Sequence, residues 1–252
     1  MQKIKGNNDN SNSGKTCPFV ISNKAKKIKF NNSDGTPCPF LNSLINKGEL
    51  DPKKEWTKKE VSTVLSDNKL MSNTFSKIFT HILSYPNGYL LIPGIQYLPS
   101  IKKPTKFSVE TMQTHNIIEH DASISREDFH IGDNVRFSHD RFQLIFKYFK
   151  NRKSITLKEL IQYIHYLYKK SIKENDKVLL EQKIILTTAL LVENVNMFIS
   201  LSKDGRLNLK KLENVFREES LDGVETNVIN TQNFSINFVK SLYYWNMERF
   251  FN

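Results

Sequence analysis

The chain has 252 residues, 38% hydrophobic and 11% aromatic, which suffices to bury one substantial core and points to a single domain. Only 9 Gly weigh against a loop-rich, nucleotide-cradling design, and 2 Cys exclude a disulfide framework. The net charge of +11 would attract a polyanion, but the 37 Lys and Arg are scattered in short clusters such as Lys53-Lys54, which argues against specific nucleic-acid recognition.

Residues 1–16 are polar, rich in Asn, Ser and Gly, and read as a disordered tail ahead of a domain over 17–252. Met1 to Gly6 lacks the apolar core of a secretory signal, so a cytoplasmic protein is expected, and no stretch approaches a membrane span. Pro39 to Lys47 places Leu41, Leu44 and Ile45 at helical spacing, with Pro39 at the first helical position and Gly48 past the end. Cys38 then occupies the N-cap, where free backbone N–H groups and the helix dipole are expected to favour a thiolate.

Thr57 with Glu60 forms a capping box before Val61, Val64 and Leu65, and a further helix over 72–84 is predicted to put Phe75, Ile78, Phe79 and Ile82 on one side. Four Pro and two Gly make 85–106 irregular. Ser108 caps a restart that leads to an acidic cluster at 119–128. Arg141 to Phe149 is an apolar helix, and Thr156 with Glu159 is a second capping box opening a helix over 157–174. Leu179 to Leu201 is a long apolar stretch, and Asn208 to Ser220 adds another helix. Without alternating strands or repeats, the sum is an all-α, bundle-like domain.

Within that helical frame, Cys38 is a candidate metal thiolate. His120, beside Asp121, is a candidate proton shuttle, with Asp121 expected to hold one ring nitrogen and leave the other free. Glu193 is a lone carboxylate in an apolar helix, which needs either a partner or a raised pKa. Glu213, Glu218 and Glu219 sit among other charges on a solvated face.

Pro37-Cys38-Pro39-Phe40-Leu41-Asn42, taken with Glu119-His120-Asp121-Ala122-Ser123-Ile124-Ser125-Arg126, resembles the haem-thiolate peroxidases of the chloroperoxidase and unspecific-peroxygenase family. The likeness is to the shorter branch, whose pattern is P-C-P followed by E-H-D-x-S, and it runs from residue 36 to 222. It implies a single-domain helical bundle around a haem pocket, haem b held by Cys38 as axial ligand, and peroxide-dependent oxidation or oxygenation of small organic substrates. It also implies that His120, Asp121 and Glu193 serve acid–base catalysis. The Glu119 carboxylate, the backbone carbonyl of His120 and the Ser123 hydroxyl would hold Mg²⁺ or a related cation beside one haem propionate, and Arg126 is one candidate for the other. Val192 stands where the family often has Gly, and Phe216 to Asp222 lacks the usual Arg and Pro. Two other classes compete: a haem-binding sensor or carrier without turnover, and a basic, non-catalytic helical module.

Overall fold

In a computed structural model of the chain, the described residues are 35–83, 106–113, 120–150, 152–175 and 180–251. The tail over 1–16, the Pro-rich stretch over 85–105, Cys17 and Glu119 lie outside them. The described part is mostly helical, as the periodicity requires. Helix α1 (Pro39–Asn46) starts from Cys38 in extended backbone, with Pro39 at its first position, and ends before Gly48 at φ +76°, a left-handed turn that glycine adopts without strain. The Thr57 and Glu60 capping box opens α2 (Lys58–Asp67), and the Thr156 and Glu159 box opens α6 (Leu157–Glu174), both as predicted.

Helix α3 (Asn73–Leu83) packs beside α2, but its inner face differs from the one expected. Phe75, Ser76 and Thr80 are buried and Ile78 is exposed. The hydroxyls of Ser76 and Thr80 satisfy themselves on the carbonyls of Asn73 and Ser76 within the helix, so they enter the core without an unmet hydrogen bond. Ser108 caps a single short turn, α4 (Val109–Met112). Helix α5 (His139–Tyr148) inserts Phe142 and Ile145 fully into the core.

Helix α7 (Leu180–Leu201) runs beside α6, and α8 (Leu209–Glu218) packs on α1 and α5. Helix α9 (Thr231–Phe251), which the periodicity did not reveal, lies across both α6 and α7. Its Trp245 ring meets His165 edge-on at 4.8 Å and Tyr168 at 5.0 Å. Apolar residues surround this helix on more than one side, so no single stripe stands out.

Short strands tie these helices together where none was expected. The pair β1 (Trp56–Thr57) and β2 (Lys106–Phe107) is antiparallel, and β3 (Ser154–Ile155), β4 (Ser202–Lys203) and β5 (Arg206–Asn208) form a small sheet in the order β3-β5-β4. Ile155 and Leu207 are paired and both fully buried, which anchors the start of α6 to the turn after α7. Strands of two or three residues are too short to show an alternation. No helix among the described residues is long and apolar enough to cross a membrane.

Candidate active site

Three segments meet at the site: the start of α1, the loop over 120–138, and the middle of α7. The first is locked by a reciprocal pair. Thr36 N–H donates to Asn42 Oδ1 at 2.6 Å, and Asn42 Nδ2 donates to the Thr36 carbonyl at 2.8 Å, folding Pro37 and Cys38 over the first turn of α1. The Thr36 hydroxyl accepts from Cys38 N–H at 3.2 Å. A Cβ on Gly35 would come within 3.2 Å of the Asn42 amide, so a larger residue there would crowd this pair. Gln113 reaches back to the Gly35 carbonyl at 2.6 Å, tying α4 to the same turn. Asn42 was visible as part of a motif, but its clamping role was not.

Cys38 is a free, partly buried thiol. Burial pushes it up to about 11, the Glu193 carboxylate adds to the rise, and the amides of Leu41 and Phe40 with the Arg126 guanidinium pull the other way. This corrects the expectation that the helix start alone would favour the thiolate. Desolvation outweighs the amides, so the sulfur needs a bound cation to ionise at neutral pH.

The loop over 120–138 is shaped by buried carboxylates. Ala122 sits at φ +62°, a left-handed conformation unusual for a residue with a Cβ, and is fully buried. Its N–H donates to Asp128 Oδ1 at 2.8 Å. Asp128 in turn pairs with Arg141 Nη2 at 3.1 Å, while Arg141 Nε donates to the Ser123 carbonyl at 2.9 Å. All four groups lie inside the protein, so a buried hydrogen-bonded brace holds the left-handed turn through Asp128 Oδ1, while Asp128 Oδ2 is buried without a hydrogen-bond partner.

That brace aims His120 at α7. His120 Nε2 lies 2.8 Å from Glu193 Oε2, and His120 Nδ1 lies 2.9 Å from the Asp121 carbonyl. A carbonyl can only accept, which assigns a proton to Nδ1. Burial works to raise the Glu193 pKa, but the charge and hydrogen bond of His120 together with Arg126 prevail and hold it below the ordinary carboxylate value. Glu193 is therefore favoured in its ionised form, as the acceptor facing Nε2. The second nitrogen is engaged by Glu193 rather than free, which differs from the sequence expectation. Asp121 does hold the ring, but through its backbone; its carboxylate Oδ1 accepts from Phe129 N–H at 2.8 Å.

The remaining candidates are drawn to other partners. Arg126 is buried and donates to the Val135 carbonyl at 2.5 Å, Ser125 Oγ at 2.8 Å and Glu219 Oε1 at 3.2 Å. Glu213 pairs with Lys210 at 2.7 Å and Glu218 with Arg217 at 2.8 Å. Ser123 is buried, and its hydroxyl accepts from Ser125 N–H at 3.4 Å. A cavity of about 360 Å³ opens along α1 between Thr36, Asn42, Val135, Phe137 and Glu219, and neither Cys38, His120 nor Glu193 lines it.

The donor chemistry is compatible with a haem iron: the Cys38 sulfur stands at a helix start, and the Glu193 carboxylate is near enough to perturb it. One turn beyond Glu193, both polar atoms of the Asn196 side chain are buried and without a hydrogen-bond partner. The sequence offered Asn196 only as one of several polar interruptions in an apolar helix.

Comparison with known proteins adds an independent line. The pattern of the family described as "Peroxidase, family 2" matches residues 30–237. A protein described as an aromatic peroxygenase, from Coprinellus radians, is 28% identical over 117 residues, which cover 44% of this chain and 45% of that protein. The matched stretch thus spans less than half of that relative's length.

Proposed function

The chain belongs to peroxidase family 2, the haem-thiolate peroxidases, and from that membership we propose that Cys38 is the axial ligand of its haem iron and that Glu193 and His120 manage the peroxide proton. The observation that carries this reading is the ion pair between His120 Nε2 and Glu193 Oε2 at 2.8 Å, in electrostatic reach of the one cysteine among the described residues.

When bound, the haem supplies an iron that takes up hydrogen peroxide and, with electron density from the thiolate, promotes cleavage of its O–O bond. The chain's own residues supply the proton handling. Glu193 is held ionised by His120, so at neutral pH it is already in the form that accepts a proton from peroxide. Its Oε2 is committed to His120, which leaves Oε1 to take that proton and return it to the departing oxygen. His120 fixes the carboxylate in place, and the Asp121 carbonyl fixes His120. Asp121 is a positioning residue in this scheme. The substrate is a small organic molecule, oxidised or oxygenated.

The same reading assigns Mg²⁺ or a related cation to the Glu119 carboxylate, the His120 carbonyl and the Ser123 hydroxyl, a set of hard oxygen donors that water would complete. The ferrous–CO absorption spectrum of haem-loaded protein tests the ligand: a thiolate signature is expected in the wild-type chain and its disappearance in Cys38→Ala. Elemental analysis of the same preparation should find magnesium alongside iron. A thiolate signature that survives in Cys38→Ala would overturn the assignment.

A further inference from the structure

Helix α9 is apolar on two opposite faces. Phe234, Phe238 and Trp245 turn toward the rest of the protein, and the Phe234 ring lies tilted against Phe75 of α3 at 5.0 Å. On the far side stand Ile236, Val239, Tyr243, Met247 and Phe250, which are 48%, 65%, 61%, 38% and 75% exposed. At 3.6 residues per turn these five fall within an arc of about 80°, on the opposite side from Trp245, and span about 21 Å of helix. Isolated exposed apolar residues need no explanation, but a continuous stripe of this length does.

The spacing along the stripe runs 3, 4, 4, 3 and is symmetric about Tyr243. We propose that this stripe is the contact face of a homodimer, in which two copies of α9 pack antiparallel about a twofold axis at Tyr243. A twofold interface must complement itself, because each residue meets its mirror position on the other copy. Here Ile236 meets the partner's Phe250, Val239 meets the partner's Met247, and Tyr243 meets the partner's Tyr243. Large side chains face large ones in every layer.

Charge is compatible with that register. Lys240 is the charged residue at the margin of the stripe, and it falls opposite the partner's Asn246, so like charges do not meet. Glu248 is turned inward and accepts from Gln162 Nε2 at 2.7 Å. The stripe offers on the order of 500 Å² per copy, which with the flanking Gln232, Lys240 and Asn246 approaches the roughly 600 Å² per partner at the lower end of specific interfaces.

A lipid surface suits this helix less well. A helix that lies in a membrane interface carries a strongly charged face opposite its apolar one. The opposite face of α9 is apolar and packed on α6 and α7. Apart from Ile236, the stripe also lies beyond residue 237, where the family match ends, so family membership does not account for it.

Sedimentation of the full chain tests the proposal and does not depend on the haem assignment. The wild-type chain should sediment near twice its 29.4 kDa, and Tyr243→Glu at the monomer mass. The circular dichroism of that variant should stay unchanged, since Tyr243 is largely exposed; if it changes, Val239→Lys takes its place. Cysteine pairing tests the register against the background of the native thiols. Tyr243→Cys should form a disulfide dimer by itself. Ile236→Cys and Phe250→Cys should do so only when mixed. A monomeric wild-type chain, or a dimer that survives both charged substitutions, overturns the proposal. So does a monomer that binds phosphatidylserine vesicles through this stripe, which would make it a lipid-facing surface instead.

Discussion

Under the proposed reading, Glu193 separates a turning-over peroxidase from a protein that merely holds haem, because the proposed iron ligand, Cys38, lies elsewhere in the chain. Replacing it by Gln keeps the shape and removes the base. Peroxide-dependent oxidation by Glu193→Gln should fall roughly 10²- to 10⁴-fold, the usual contribution of a positioned acid–base group, while the haem absorption spectrum is retained. Steady-state rates beside the spectrum measure both halves of that expectation, and a loss under about tenfold would remove Glu193 from the chemistry. At this scale the sequence was informative about identity and weak about partners. An isolated carboxylate among Leu190, Leu191, Val192 and Val195 announced that something must compensate it. That the compensation comes from the His120 ring rather than from a raised pKa depended on a contact across 73 residues of chain, between His120 and Glu193.

Capped helices are the elements best read from sequence, because a capping box is completed by residues three apart. Thr156 Oγ1 accepts from Glu159 N–H at 3.3 Å, and Glu159 Oε2 accepts from Thr156 N–H at 2.8 Å. Thr156→Ala should lower the unfolding free energy by about 1 kcal/mol in urea titration. Glu159 adds a pH dependence of definite sign. Burial works to raise its pKa, but the Arg152 guanidinium and both donors of Thr156 outweigh it and hold the value below normal. A folded pKa below the unfolded one gives stability that is present above the unfolded value and lost as pH falls through the folded one. Thermal melts below about pH 4 should therefore show a loss in the wild-type chain that is smaller in Glu159→Gln. Helix α9 marks the opposite case. Its apolar residues face two ways, so the periodicity that revealed α6 cancels. Ile78 was misplaced for a related reason: hydropathy favours Ile over Ser or Thr in a core, but the hydroxyls of Ser76 and Thr80 bond within their own helix and can be buried at little cost.

Across the whole molecule, the acidic cluster serves mainly as architecture. Asp121 holds the amide of Phe129, Asp128 holds Ala122 and Arg141, and Glu127 accepts from the Ser138 hydroxyl at 2.6 Å. Together they turn 120–138 into a rigid arm joining α5 to the face of α7. The ion pair of Asp128 and Arg141 is buried on both sides, so removing one charge leaves the other without compensation. Asp128→Asn, which keeps an acceptor for Ala122, should cost about 3–5 kcal/mol of unfolding free energy and lower the stoichiometry of haem uptake. Chemical denaturation and haem titration check the two parts. A cost near zero would mean that the arm is held by its backbone alone.

The sequence by itself determined the helical class, the limits of α1 and α6, the start of α2, and the family, since each rests on residues within a few positions of one another or on two dense motifs. Tertiary structure alone decided the protonation of Cys38, the engagement of both His120 nitrogens, the turn of the Asp121 carboxylate away from the ring, and the inner face of α3. Those outcomes are set by desolvation and by distances between segments far apart in the chain, and neither quantity is a property of local residue order.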